Sequence, residues 1–303
     1  MRIAAKAFAK INWSLDILSA REDGYHEMDM LMQRISLHDE IVFSSARNLS
    51  LSINGRVVPW GGKNLVVRAA SALSQIAGRP MGARIEMTKR IPIRAGLGGG
   101  SADCAVALMA LNRLWNLGLN ARELMQVGAG LGADVPFCME GRFCRVQGIG
   151  ERMQHLPEAP QIDLVLSMPA EGLSTAGVFA EYDARPRSPL RLDMEGLSCA
   201  LRYKDLPAAR ALAGNALEQP AMDLLPEIRG LIERMYACGA EFAHMTGSGS
   251  CVFGPSGVGA VSAGTGSDSG SGAVDSSDSA PVVRSSAAMF HSSACCASVR
   301  PPN

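Results

Sequence analysis

The chain has 303 residues, 47% hydrophobic and 19% charged, with 29 Lys+Arg against 29 Asp+Glu and a formal net charge of zero. That is apolar material for one large domain or two modest ones, and the balanced charge leaves no basic excess to neutralise a nucleic-acid backbone. Aromatics are only 5% and no stretch approaches about 18 uninterrupted apolar residues, so neither a nucleic acid nor a membrane is expected as partner.

The N-terminus, MRIAAKAFAKINWSLDI, acquires charge and alternation too soon for a signal peptide. The eight cysteines hold no C-x-x-C pair, and the histidines do not stand at ligand spacing from them, so no metal site is expected from side-chain spacing. Cys104, Cys138, Cys144, Cys199, Cys238 and Cys251 stand singly among apolar neighbours, where a free thiol acts as a small hydrophobe. A cytoplasmic protein is expected.

In chain order, residues 11–18 alternate: Ile11, Trp13, Leu15 and Ile17 on one face, Asn12, Ser14 and Asp16 on the other, the period of a half-buried strand. Asp23-Gly24 supplies a turn, and strand-like runs follow around 28–37, 39–44, 49–53 and 83–91. Asn64 caps a predicted helix that ends near Ala77 and Gly78. Residues 101–117 give the strongest helical pattern. A helix over 121–131 leads into GADVPF, where Pro136 is expected to end it.

Strands return over 142–168, helices near 174–182, 207–217 and 226–237, and a strand at 241–245 runs into TGSGS. Two successive sets of strands and helices predict an α+β protein of two lobes, 1–155 and 156–254. Residues 255–303 contain 13 Ser, 6 Gly and 8 Ala but only 5 charged residues. Lacking an apolar period, this tail is expected to be disordered and to leave a strand edge of the second lobe unpaired.

The most informative segment is Ile91–Asp103, IPIRAGLGGGSAD: a strand end, a glycine run, then a long helix. Glycine lets backbone N–H groups approach a ligand, and a helix start adds free donors and partial positive charge, which together favour phosphate. A plain glycine turn before a helix is the alternative. Walker A fails, because Gly62-Lys63 is followed by Asn64, and the Rossmann pattern fails at Ser101.

Lys10 lies on the polar side of the alternating strand, aimed at a cleft or at solvent. Asp134 follows a glycine turn and could equally cap it. Tyr25 and His26 follow Gly24, either presented on a loop or closing the turn as a partly buried pair. Gly247, Ser248 and Gly249 form a second tight loop, for which a strand-to-helix turn is the alternative. His38, His155, His244 and His291 have no carboxylate or nucleophile at meaningful spacing.

PIRAGLGGGSAD, with AKINWSLDI before it and MTGSGSCVFG after it, resembles the ordered motifs of the GHMP kinases over roughly residues 1–254. A narrower resemblance rests on AKIN (9–12), REDGYHEM (21–28), GLGGGSAD (96–103) and GADVPF (132–137), with Arg94 and Ala95 departing from the usual small residues or glycine. The resemblance implies the two-lobe GHMP kinase fold, monomeric or weakly dimeric. It also implies phosphorylation, using ATP and Mg2+, of the 2-hydroxyl of a cytidine diphosphate-linked methylerythritol on the route to isoprenoid precursors. Lys10 and Asp134 would be catalytic. Pro92, Ile93, Arg94, Ala95, Gly96, Leu97, Gly98, Gly99, Gly100, Ser101 and Ala102, with Asn64 and Leu65, would bind the nucleotide.

Asn12, Tyr25, His26, Thr175, Phe179, Gly247, Ser248 and Gly249 would line the substrate side, Tyr25 and Phe179 stacking on the base and His26 reading its edge. A homoserine- or mevalonate-type GHMP kinase, or a non-catalytic nucleotide-binding homologue, is the alternative. GYHEM with Phe179 argues against the first, because a small acid or alcohol needs no aromatic pair.

Overall fold

A computed structural model describes residues 1–58, 64–157, 160–185, 188–255 and 297–299. Strand β1 (Arg2–Ala20) and strand β2 (His26–Ser45) form one long antiparallel hairpin, followed by β3 (Ser50–Ile53) and β4 (Arg56–Val58). The runs expected at 28–37 and 39–44 are therefore one strand. Pairing with β1 continues through His38, opposite Phe8, and register shifts at Phe8/Lys10, Asn12/Ser14 and Ile17/Ser19 absorb the irregularities.

Helix α1 (Leu65–Ile76) starts where the sequence signals it, the Asn64 side chain accepting from Val66 N and Val67 N. Strand β5 (Ala83–Thr88) stops short of residue 91 because the Asp39 side chain takes the backbone N–H groups of Arg90 and Ile91. Helix α2 (Gly99–Trp115) begins two residues before Ser101, from Gly98 in the left-handed conformation (φ 68°). Helix α3 (Ala121–Ala129) leads to α4 (Val135–Glu140).

Pro136 opens α4 rather than ending a helix. In the first turn its missing N–H has no intrahelical partner to lose, and its fixed φ suits the helix. Strands β6 (Phe143–Gly148), β7 (Arg152–His155) and β8 (Leu164–Ser167) precede α5 (Thr175–Asp183), α6 (Met194–Arg202), α7 (Leu206–Leu212), α8 (Glu218–Leu224) and α9 (Glu227–Ala237). Helices α6 and α8 were not expected, and the strand expected at 241–245 shortens to β9 (His244–Met245) before β10 (Val252–Pro255).

The first sheet runs β4-β3-β5-β2-β6-β7, with β1 along the other edge of β2; the second runs β11-β8-β10-β9. Its outer member, β11 (Ala297–Val299), pairs antiparallel with Leu164–Leu166. The edge expected to be unpaired is thus covered over three residues of β8. A ladder needs only backbone groups, so a segment without apolar period can supply it. The disorder expected of 256–296 and 300–303 lies outside the described residues.

Helices α1 and α2 cover the first sheet through Phe43, Ile85, Leu73, Leu108 and Leu111. The core then passes into the second sheet along β1 itself: Ile11 and Trp13 pack with Leu197, Phe242 and Phe253, the Trp13 ring 5.4 Å from Phe253 and 5.9 Å from Phe242. The polar face of β1 is not solvated as its alternation implied. Asn12, Ser14 and Asp16 are 2%, 1% and 1% exposed. Asp16 accepts from the backbone of Leu190, Arg191 and Leu192, and Ser14 bridges to Gly214. A buried polar group needs such partners, and here they come from the far half of the chain.

Candidate active site

The centre is built on β1. Lys10 is buried, its ammonium donating to Asn12 Oδ1 at 2.7 Å and standing 3.5 Å from Asp134 Oδ2. Asp134 occupies the N-cap position of α4, yet its side chain makes no cap hydrogen bond. The carboxylate is therefore not spent on the turn, as the cap alternative would require; it faces Lys10 and is 31% exposed.

The glycine run wraps around this pair. Lys10 N donates to Leu97 O at 3.0 Å, and Cys251 N to Ala95 O at 3.2 Å, so β1 and the lead-in to β10 hold the loop from both sides. Ala95 and Leu97 are buried, whereas Ile93 is exposed. Gly96 (φ 73°) has room for no side chain, because an added Cβ would overlap Thr246 O. At Gly98 (φ 68°) a Cβ would sit 2.9 Å from Lys10 Cγ. The N–H groups of the first turn of α2, at Gly99, Gly100 and Ser101, have no intrahelical acceptor, which makes this loop a cradle for an anion. Leu65 lies alongside, its Cδ1 3.6 Å from where a Cβ on Gly100 would stand, while Asn64 is engaged as the cap of α1.

The second glycine loop closes over the same spot. A Cβ at Gly247 would lie 2.9 Å from Gly96 O and 3.1 Å from Lys10 Nζ. Asn215 holds this loop by donating to Met245 O and Gly247 O, both at 2.8 Å, and Asn12 N donates to Thr246 Oγ1 at 2.9 Å. Thr175 Oγ1 and Ser248 Oγ meet at 3.0 Å, tying the start of α5 to the loop. From there α5 carries Phe179 to His26: the rings stack at 5.0 Å and 30°, and Tyr182 approaches His26 edge-on at 5.9 Å. His26, rather than Tyr25, is the ring resting on Phe179. Tyr25 stands 58% exposed at the Asp23-Gly24 turn, its N–H bound to Asp23 Oδ1.

A buried ion cluster beneath the glycine run escaped the sequence reading. Lys89 binds Asp39 at 2.5 Å and Asp103 at 2.7 Å. Asp39 also accepts from Arg90 N and Ile91 N, so the strand before the loop and the helix after it are tied to β2. Burial, joined by the charge of Asp39, pushes Asp103 up to about 7 against the opposing pull of Lys89. Burial alone would lower Lys89, but the two carboxylates outweigh it and hold the ammonium above its ordinary range.

Elsewhere Cys199 and Cys238 are exposed rather than packed, and burial pushes the thiols of Cys104 and Cys251 up to about 12. His244 on β9 does meet a carboxylate, Glu218 at the start of α8, at 3.3 Å, and His155 meets Cys144 Sγ across the β6–β7 pair at 3.4 Å, contacts that sequence spacing hides. His291 lies outside the described residues. Among the described residues no group of three or more His, Cys, Asp or Glu side chains could hold a metal, and no helix is long and apolar enough to cross a membrane.

The sequence and fold that carry this arrangement match known proteins. Residues 64–142 match the GHMP kinases N terminal domain and 198–262 the GHMP kinases C terminal domain. The chain is 43% identical over 257 residues to 4-diphosphocytidyl-2-C-methyl-D-erythritol kinase of Pelotomaculum thermopropionicum, covering 84% of this chain and 89% of that protein. The chain belongs to the GHMP kinase family.

To the enzyme of the same name from Moorella thermoacetica this GHMP kinase is 43% identical over 251 residues, 82% of its own length and 88% of the relative's. A crystal structure of 4-(cytidine 5'-diphospho)-2C-methyl-D-erythritol kinase superposes with a TM-score of 0.69 at 36% identity, covering 84% of this chain and 90% of that one. Homoserine kinase from Cytophaga hutchinsonii, at 20% identity and a TM-score of 0.58, covers 84% of this chain and 85% of its own and shares the fold alone.

Proposed function

We propose that this GHMP kinase transfers the γ-phosphoryl group of ATP to the 2-hydroxyl of 4-diphosphocytidyl-2-C-methyl-D-erythritol. The observation that carries the reading is the Lys10–Asp134 pair, 3.5 Å apart, enclosed by two glycine loops. Phosphoryl transfer asks the protein mainly for positioning and charge neutralisation. Asp134 takes the proton of the attacking hydroxyl. Lys10, fixed by Asn12, keeps that carboxylate in line and offsets negative charge on the transferring group. The triphosphate fits the cradle of Gly96–Ser101, where side chains are excluded and the helix start offers free donors. Magnesium, carried by the nucleotide, would supply neutralisation of its phosphate oxygens.

The relatives' substrate and the ring pair of His26 and Phe179 support a pocket for a pyrimidine base, and on this reading Tyr25 would close it from the neighbouring turn. The change of sheet between His155 and Leu164 supports reading 1–155 and 156–254 as two lobes. Coupled ADP release with the diphosphocytidyl substrate, homoserine and mevalonate tests the function. Turnover confined to the first is expected, and turnover with either of the others alone would overturn the reading.

A further inference from the structure

His26 is held by more than its stacking. Its Nε2 lies 2.8 Å from Asp183 Oδ1, at the last residue of α5, and its Nδ1 has no hydrogen-bond partner among the described residues. A carboxylate oxygen only accepts, so Nε2 carries the proton, and in the neutral ring Nδ1 is then an acceptor. The helix itself gives no reason for an acid at this position, because negative charge is disfavoured at a helix C-terminus. Asp183 is also 54% exposed at its side chain and caps nothing, while the His26 side chain it grips is only 9% exposed.

We infer that Asp183 is a positioning residue that fixes the ring tautomer of His26 and thereby makes the base pocket select an amino pyrimidine over its keto counterpart. Cytosine offers an exocyclic amino donor where uracil offers a carbonyl acceptor. An Nδ1 acceptor satisfies the first and meets the second lone pair to lone pair. The geometry is consistent with stacking. A base hydrogen-bonded in the plane of the imidazole lies within about 30° of the Phe179 plane, the angle the two rings already make. The inference rests on the proposal that His26 faces the base of the substrate, and it adds the group that decides which base.

The test uses the full-length enzyme at pH 8, with the diphosphocytidyl substrate and its diphosphouridyl analogue. In Asp183→Ala the cytidine-to-uridine ratio of kcat/KM is expected to fall about tenfold, the worth of one neutral hydrogen bond at the upper end of its range. The loss should appear in KM for the nucleotidyl substrate, with KM for ATP and the melting temperature unchanged. Asp183→Asn, whose amide oxygen still accepts from Nε2–H, should keep most of the preference. 15N spectra of the histidines should show the Nε2–H form of His26 in the parent and a mixture in Asp183→Ala.

A preserved ratio, or an unchanged tautomer, in Asp183→Ala overturns the inference. His26→Ala separates this from the reading beneath it. If His26→Ala raises KM for the diphosphocytidyl substrate while Asp183→Ala does not, only the role of Asp183 falls. If His26→Ala leaves that KM unchanged, the base-facing role of His26 falls with it.

Discussion

Replacing Asp134 by asparagine keeps its volume and removes both its charge and its capacity to take a proton. General-base catalysis contributes about 10²–10⁴ in rate, or about 2.7–5.5 kcal/mol of barrier at 1.36 kcal/mol per tenfold. The structural cost is far smaller. The carboxylate caps no helix, and its ion pair with Lys10 is partly exposed on its own side. A fully exposed pair is worth about 0.2–1 kcal/mol; here Lys10 is buried, but it keeps its hydrogen bond to Asn12, and the asparagine oxygen remains an acceptor facing it. Asp134→Asn is therefore expected to melt within about 4 °C of the parent while kcat falls by at least two orders of magnitude, with both KM values little changed. Coupled ADP release at saturating substrates, beside a thermal melt, reads both quantities. A kcat within one order of magnitude of the parent refutes the role assigned to Asp134. A melting loss that matches the activity loss would make the residue structural.

At Gly96 an added methyl meets the Thr246 carbonyl, and at Gly98 it meets Lys10 Cγ. Both positions also carry a left-handed backbone that costs a side chain about 1–2 kcal/mol. Gly96→Ala should raise KM for ATP, and Gly98→Ala, which displaces Lys10, should lower kcat by up to about 10²-fold; steady-state kinetics distinguish them. Tyr25→Ala and Phe179→Ala should each weaken the cytidine substrate by about 1–3 kcal/mol with KM for ATP unchanged, and equal damage to both nucleotides would count against the base pocket. Asp103 is raised from 3.8 to about 7, so the folded state holds a proton that the unfolded state releases. Its stabilising contribution is complete below about 4 and is lost as pH rises through about 7. The difference in unfolding free energy between the parent and Asp103→Asn, from denaturant titrations at pH 5 and pH 8, should move against the parent at the higher pH.

Local signals were legible where the physics is local. The Asn64 cap, the glycine run before α2 and the turn at Asp23-Gly24 each depend on neighbours within a few residues. Pro136 was misread because a proline that ends one helix and one that opens another carry the same letter; what decides is the turn of chain between α3 and α4. The α6 helix had its signal in Asp193, whose side chain accepts from Gly196 N, ahead of Met194, Leu197 and Leu201 on one face. The buried face of β1 was not legible. The groups that satisfy Asp16 and Ser14 lie 174 to 200 residues away, and an alternating strand reads the same whether its polar face meets water or a distant backbone. Asp39, Lys89 and Asp103, separated by 50 and 14 residues, were hidden for the same reason.

The strand that carries Lys10 belongs to both halves of the molecule. Ala7 packs under α1 and α2, Ile11 and Trp13 against the second sheet, and Leu15 and Ile17 against α5 and α8. Its backbone is laddered to β2 along nearly its whole length, so the second sheet packs on a strand that the first sheet holds in place. The lysine is thus fixed to the first sheet by its backbone and to the second by side-chain packing on the same strand. Around that fixed centre lie short stretches of surface chain: the exposed Tyr25 turn, the exposed Ile93 before the glycine run and the Thr175–Ser248 contact. Variation in those stretches can reshape the approach to the site, while the lysine at the centre stays where the hairpin puts it.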